Sequence, residues 1–410
     1  MAEPDVNPAA QAEQVARASY GRLLALLAAP TGDIPTAEDA LSDAFVQALT
    51  TWPATSIPEN PEGWLLTVAR NRLRDLYKSA AHRTSVSLAD QDSAVLHDFD
   101  PESIPDKRLE LMFVCAHPAI EAGIRTPLML QTVLGFEAAQ IATAFAVPAP
   151  AMTQRLVRAK RRIRDARIPF AVPTRQDMPA RLPAVLEAIY GAYAIDWMLV
   201  SGESVHESLA AEALYLASTL AASLEDEPEA FGLAALIALS ISRAAARTVG
   251  GKHVPLDEQD TTSWDAGLIA QGEAWLRRAH SLGRIGRFQL EAAIQSVHCA
   301  RAMSGETDWV TLRRLYEALA QVAPTLGAQV SLAATIGQTD GPQAGIDALE
   351  GITDSTVQRF QPAWATRAHL LARAGRPNEA ARAYEEAIAL TTDPAIREYL
   401  RAKSSAGRRA

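Results

Sequence analysis

Cysteine is almost absent: Cys115 and Cys299 are the only two in 410 residues. That excludes a disulfide scaffold and fits a reducing, cytoplasmic setting. Long apolar runs are missing as well. No stretch reads as the ~18 apolar residues that cross a membrane, and the longest candidate, Phe231 to Ile241, reads as a buried helix, so no membrane partner is expected. Met1 to Gln11 carries two acids and no basic residue, which argues against a signal peptide. Aromatics make up only 6% of the chain, and β-branched alternation is scarce, so sheets are not expected. Net positive charge is lacking too. Against 39 Lys and Arg stand 48 Asp and Glu, a balance of −9 that excludes nucleic-acid binding by the whole surface but not by a local basic face.

What the chain does have is apolar residues at 48% and charged residues at 21%, a globular composition long enough for two or three domains. Its charge is blocked. Arg155 to Arg167 holds seven basic residues and one acid, and Arg70 to Arg83 holds five and one. Thr84 to Pro105 has five acids and no Lys or Arg, and residues 171–270 count 14 acids against five bases. Such blocks mark modules with different partners.

Nearly every segment reads as helix, so the expected fold class is all-α. A first helix runs from Ala12 to Ala28, with Val15, Tyr20, Leu23, Leu24 and Leu27 on its apolar stripe. A second starts at Thr36, with Glu38 and Asp39 in a first turn that favours acids, and carries Ala40, Leu41, Ala44, Phe45, Ala48 and Leu49 at helical spacing. Trp52 to Gly63, with three prolines, is expected to be a structured loop, and Trp64 to Ser79 a basic amphipathic helix. Phe136 to Phe145, a Pro-containing turn and Ala151 to Ala166 have a helix-turn-helix layout, with Ile141 and Phe145 expected to face Leu156 and Ile163. Four prolines between 169 and 183 read as a linker. In 364–390, Trp364, Ala368, Gly375, Ala380, Tyr384 and Ala387 have the spacing of one tetratricopeptide hairpin, with a weaker echo at Val330 to Leu349.

Catalytic patterns are weak. Cys115 and His117, and His298 beside Cys299, lack zinc-site spacing, and Ser201-Gly-Glu-Ser is not a nucleophile elbow. Gly250-Gly-Lys-His lacks phosphate-loop spacing and reads as a helix end opening a loop. No catalytic residue, metal or cofactor is expected, and the protein is not read as an enzyme. The cluster Glu225 to Glu229 reads either as a solvated turn or as an internal partner for the basic segments.

Residues 37–49, 60–75 and 152–168 together resemble bacterial extracytoplasmic-function sigma factors of RNA polymerase. The first is similar to the family's core-binding helix, the second, with Trp64-Leu and Ala69-Arg-Asn, to its minus-ten helix, and the third to its minus-thirty-five recognition helix. Arg108 to Pro118 and Leu256-Asp-Glu-Gln-Asp with Trp264-Asp are similar to the group forty-two subgroup, whose C-terminal half is tetratricopeptide-like. The resemblance implies region 2 at 11–85, an acidic linker at 86–106, a region 4 helix-turn-helix at 107–169 and a C-terminal helical regulatory domain at 184–410.

It also implies partners. Glu38, Asp39, Asp43, Phe45 and Gln47 would dock the clamp of the largest core polymerase subunit. Asn60, Trp64, Arg70, Asn71, Arg72 and Arg74 would hold melted promoter DNA, where an aromatic can stack on a base. Gln154, Arg155 and Arg158 would read base edges, and Lys160, Arg161 and Arg162 would hold phosphates. Taken singly, Trp64 fits a core residue equally well, and the basic helix fits a solvated face. The C-terminal half is expected to act in cis by contact with the sigma regions. The rival readings are a helix-turn-helix regulator with a repeat domain and a tetratricopeptide adaptor. The 37–75 segment separates the first from a sigma factor, because a plain regulator has no use for it, and the basic residues Arg155 and Arg158 speak against the second.

Overall fold

A computed structural model describes residues 19–84, 106–145, 147–197 and 205–407. The expected acidic linker lies outside the described residues, apart from Asp106, as does the start of the first helix. The described chain is almost wholly helical and divides into two compact units, Met1–Ala192 and Tyr193–Ala410.

In the first unit, α1 covers 19–28 and buries Leu23, Leu24, Leu27 and Ala28. Helix α2 is Ile34–Thr55. It starts earlier than Thr36 because the Asp33 carboxylate accepts from the Thr36 backbone N–H at 3.2 Å. It also runs through Pro53, so the expected loop from Trp52 shrinks to 56–60. Trp52 explains the extension: at 1% exposure it anchors the last turns in the core. Pro61 opens α3, Pro61–Thr84, where a missing N–H costs nothing. Then come α4 (Lys107–Cys115), α5 (Ala122–Thr132), α6 (Ala138–Ala144) and α7 (Ala149–Asp165).

The proline-rich stretch after α7 is folded rather than a linker. Met178 is buried in a short 3-10 turn, and Arg125 donates to the Ala180 carbonyl at 3.4 Å. Helix α8, Leu182–Trp197, buries Val185, Leu186 and Ile189. The boundary between the units therefore falls at Ala192, not ahead of residue 184.

The second unit is built on α9 (Val205–Ser223), α10 (Pro228–Ile241), α11 (Ala266–Ser281) and α12 (Arg287–Ser304). Contrary to the sequence reading, Pro228–Ala246 does have the length and apolar composition of a spanning helix. In the fold, 78% of that window is buried inside the protein, as a core helix would be. The Glu225–Glu229 cluster finds partners in its own unit. The Glu229 carboxylate accepts from the Phe288 and Gln289 N–H groups at the start of α12, at 2.9 and 3.1 Å. Arg278 and Arg284 donate to the carbonyls of Glu225 and Asp226.

Gly250 and Gly251 do not end a helix. Both have positive φ, 58° and 77°, and they turn a two-residue antiparallel hairpin of β1 (Thr248–Val249) and β2 (Lys252–His253).

From there α13 (Trp309–Val322), α14 (Leu326–Thr339), α15 (Pro342–Glu350), α16 (Gln361–Arg373), α17 (Pro377–Leu390) and α18 (Pro394–Gly407) stack in sequence. A Cβ on Gly345 would stand 2.8 Å from the Gly337 Cα, so α14 and α15 touch backbone to backbone. In the hairpin α16–α17, Ala368, Ala380, Tyr384 and Ala387 form one buried cluster with Leu370 and Leu371. Helix α18 closes back on the loop before α11. Lys403 Nζ bonds Glu258 at 2.8 Å, and Tyr399 stands edge-on to His253 at 5.6 Å.

Burial and the neighbouring Arg243 and Arg301 push the His298 imidazole down to about 4. Between pH 6.5 and 4 the unfolded chain therefore binds a proton that the folded chain refuses. His298 contributes stability above pH 6.5 that is lost as pH falls, about 3 kcal/mol by pH 4. Chemical unfolding at pH 7 and pH 4 should show that loss, and His298→Gln should flatten it. An unchanged slope in His298→Gln would assign the pH dependence to other groups.

Candidate functional site

Helix α2 buries an alanine-rich stripe of Ala37, Ala40, Leu41, Ala44, Ala48 and Trp52. Small residues let it sit deep, and that leaves a broad outer face. Asp39, Asp43 and Gln47 are exposed on it and Phe45 is half-buried at its edge. Two apolar residues complete the face: Val46 at 62% exposure and Leu49 at 48%. Sequence reading named Leu49 among the apolar residues at helical spacing and passed over Val46. Both lie off the alanine register, and that was the signal available.

Glu38 is different. It turns inward, and Lys160 Nζ of α7 donates to both of its carboxylate oxygens, at 2.6 and 2.8 Å. The two side chains are only 19% and 9% exposed. Burial, then the Glu38 charge and hydrogen bond, raise the Tyr20 phenol well above its ordinary value. Lys160 thus holds a carboxylate in this arrangement, not a solvent-facing position. Its place follows from the stripe Met152, Leu156, Ala159 and Ile163, all buried, within which position 160 falls. A Cβ on Gly21 would stand 1.9 Å from the Val133 carbonyl oxygen, so α1 also abuts the turn after α5.

On α3, Leu65, Ala69 and Leu73 face the core. The Asn60 side chain accepts from the Gly63 N–H at 2.8 Å and so caps the helix. Trp64 is half-buried and packs edge-on against Trp52, with centroids 5.6 Å apart. Arg70 is half-buried, and burial lowers its pKa. Asn71, Arg72 and Arg74 are exposed. Arg74 donates to Asn71 at 3.0 Å, and Arg72 Nε to Asp43 at 2.7 Å. With both partners half-exposed, that ion pair contributes less than ~1 kcal/mol and opens easily.

Helix α6 is short and closed by a capping box in which the Glu137 N–H donates to the Gln140 side chain at 2.9 Å. Ile141 is buried as expected, but Phe145 is 40% exposed. It stands just past the last residue of α6, at the turn, where the helical stripe no longer carries it to the core. Pro150 sits in the first turn of α7. On the outer face of that helix Gln154, Val157, Arg158, Arg161 and Arg162 are exposed. Arg155 is part-buried, 3.3 Å from Glu121. Among the described residues no carboxylate pairs with Arg158, Arg161 or Arg162, which leaves a cationic face with donors free for an anion.

Residues 15–83 match the family Sigma-70 region 2, and residues 181–280 match a family of unknown function, DUF6596. The uncharacterized protein R00370 of Rhizobium meliloti (strain 1021) is 34% identical over 378 residues, covering 90% of this chain and 89% of that protein. No solved structure matches the chain. The region 2 match supports a sigma-70 family sigma factor, whose family implies binding to core RNA polymerase and promoter DNA and whose members are initiation factors rather than enzymes. The tetratricopeptide-like reading meets, over 181–280, a family of unknown function instead.

Proposed function

Because the chain belongs to the family of the Rhizobium meliloti protein and carries a sigma-70 region 2, we propose that it is an extracytoplasmic-function-type sigma factor with a C-terminal helical unit that controls it in cis. The observation that carries this reading is the region 2 match, on a fold whose α2 keeps an acidic and apolar face uncovered. In this reading Asp39, Asp43, Val46, Gln47 and Leu49 dock on the clamp of core polymerase. Trp64 with Arg70, Asn71, Arg72 and Arg74 engages melted minus-ten DNA. The α6–α7 pair works as a helix-turn-helix, with Gln154, Arg155 and Arg158 at minus-thirty-five base edges and Arg161 and Arg162 on phosphates. Run-off transcription with core polymerase and genomic fragments tests it. Promoter-dependent transcripts that need this protein are expected, and binding to duplex DNA without any transcript would favour a plain helix-turn-helix regulator.

Three variants separate the surfaces. Val46→Asp with Leu49→Asp should weaken association with core by about 2–4 kcal/mol, since desolvated apolar anchors carry most of an interface's energy. Co-elution with core, scored on a folded double variant, checks it, and unchanged co-elution would remove α2 as the docking face. Arg158→Ala should cost about 1–3 kcal/mol of minus-thirty-five discrimination. Trp64→Ala should spare duplex binding and impair opening, read by permanganate reactivity of promoter thymines.

A further inference from the structure

The C-terminal unit holds a cationic cluster with no carboxylate ion-paired to it among the described residues. Arg243, in the turn after α10, is 4% exposed. Its guanidinium donates only to neutral groups: the Gln295 carbonyl at 3.4 Å, the Gln295 side-chain oxygen at 2.5 Å and the Cys299 sulfur at 3.4 Å. Arg301, on α12, donates to the Gln259 carbonyl at 2.8 Å. Both guanidiniums lie over one indole, that of Trp264, at 5.8 and 5.1 Å from its centroid. His298 feels both positive charges and stays neutral. The nearby acids hydrogen-bond other groups: Glu273 accepts from Ser296, Asp265 caps α11 through the Leu268 N–H, and Asp260 holds Thr262.

Two buried polar atoms of residues that Arg301 touches have no hydrogen-bond partner among the described residues, Trp264 Nε1 and Gln259 Oε1, and their residues are 7% and 8% exposed. Arg301 joins them, reaching the Gln259 backbone while covering the Trp264 ring. A buried guanidinium without a counter-charge is costly, and stacking on an indole offsets only part of that. The group that this arrangement suits is an anion. A carboxylate or phosphate could accept from the guanidinium forks and from the indole N–H together. The unpartnered Gln259 oxygen asks in addition for a donor on the same ligand.

We propose that Arg243, Arg301 and Trp264 form a binding site in the C-terminal unit for the carboxylate or phosphate group of a small ligand, with Gln259 taking a hydroxyl or amino group beside it. The site would make this unit a small-molecule sensor, whatever the N-terminal unit binds.

The full-length chain is titrated with inorganic phosphate, acetate and lactate at constant ionic strength against chloride. At least one should raise the melting temperature and change tryptophan fluorescence saturably, because a ligand held only by the folded state stabilises it. Saturation by phosphate alone assigns a phosphate ligand. Saturation by the carboxylates, with lactate ahead of acetate, assigns a hydroxy acid. Trp264→Phe should abolish the fluorescence change, and Arg301→Gln should raise the half-saturating concentration about tenfold. Should Arg301→Gln fail to fold, Arg301→Lys, which keeps the charge and loses the fork, should still weaken binding. No saturable effect from any of the three anions, or equal saturation in wild type and variants, would overturn the site and leave the cluster a packing device.

Discussion

Deleting Gln361–Ala410 is expected to unfold much of the C-terminal unit. The cut removes α16, α17 and α18, and with them the partners of what precedes. Ala363 leaves the cluster it shares with Val330, Ala333 and Leu349, and Leu370 leaves the gap beside Gly337. The closing contacts of Lys403 with Glu258 and of Tyr399 with His253 go as well. Each large aliphatic side chain uncovered costs about 1.5–3 kcal/mol, so several together exceed about 5 kcal/mol. For a unit of this size that is a fall in Tm of about 10–20 °C. A stack of helices has no other surface to bury the exposed face, so the damage spreads to its neighbours. Thermal unfolding and run-off transcription are measured on the same preparation. Under the proposed function the helical unit is a scaffold, and both stability and transcription should fall. A gain of transcription would make the unit purely inhibitory, and unchanged unfolding with full activity would deny it either role.

Lys160→Ala is expected to cost the N-terminal unit about 3–5 kcal/mol, nearer the lower figure because Glu38 keeps some exposure. The loss comes from removing the cation that bridges both Glu38 oxygens, which leaves the carboxylate only the Tyr20 hydroxyl. Glu38→Gln with Lys160→Met should recover most of it, since replacing a buried pair is far cheaper than halving it. Urea unfolding of the two single variants and the double closes the cycle and gives the coupling directly. Single-variant stability equal to wild type would show that the pair contributes nothing. Within the proposed function this pair ties the helix meant for polymerase to the helix meant for DNA. Lys160→Glu should then separate the two more thoroughly than Lys160→Ala and raise protease sensitivity around α7.

The chain's helical class was legible at once, because alanine- and leucine-rich stripes of period 3.6 need no tertiary partner to be recognised. Leu156 and Ile163 on α7 and the hairpin alanines at 368, 380 and 387 all lie buried where their spacing put them. The basic face of α7 was readable for the same reason. Sequence alone misjudged places where a distant residue decides the outcome. Pro53 is tolerated in α2 because Trp52 is locked in the core, and the prolines after α7 are ordered because Met178 is buried. Gly250 and Gly251 turn a hairpin rather than end a helix. Glu38 and Lys160 lie 122 residues apart, and nothing local to either marks it as half of a buried pair. The same holds for Arg243 and Arg301, which reach one indole from separate elements. Periodicity records which face of a helix is apolar, since that depends on neighbours three and four residues away. Which charge meets which, and whether a polar group finds a partner, depends on how the helices cross, and only the folded chain decides that.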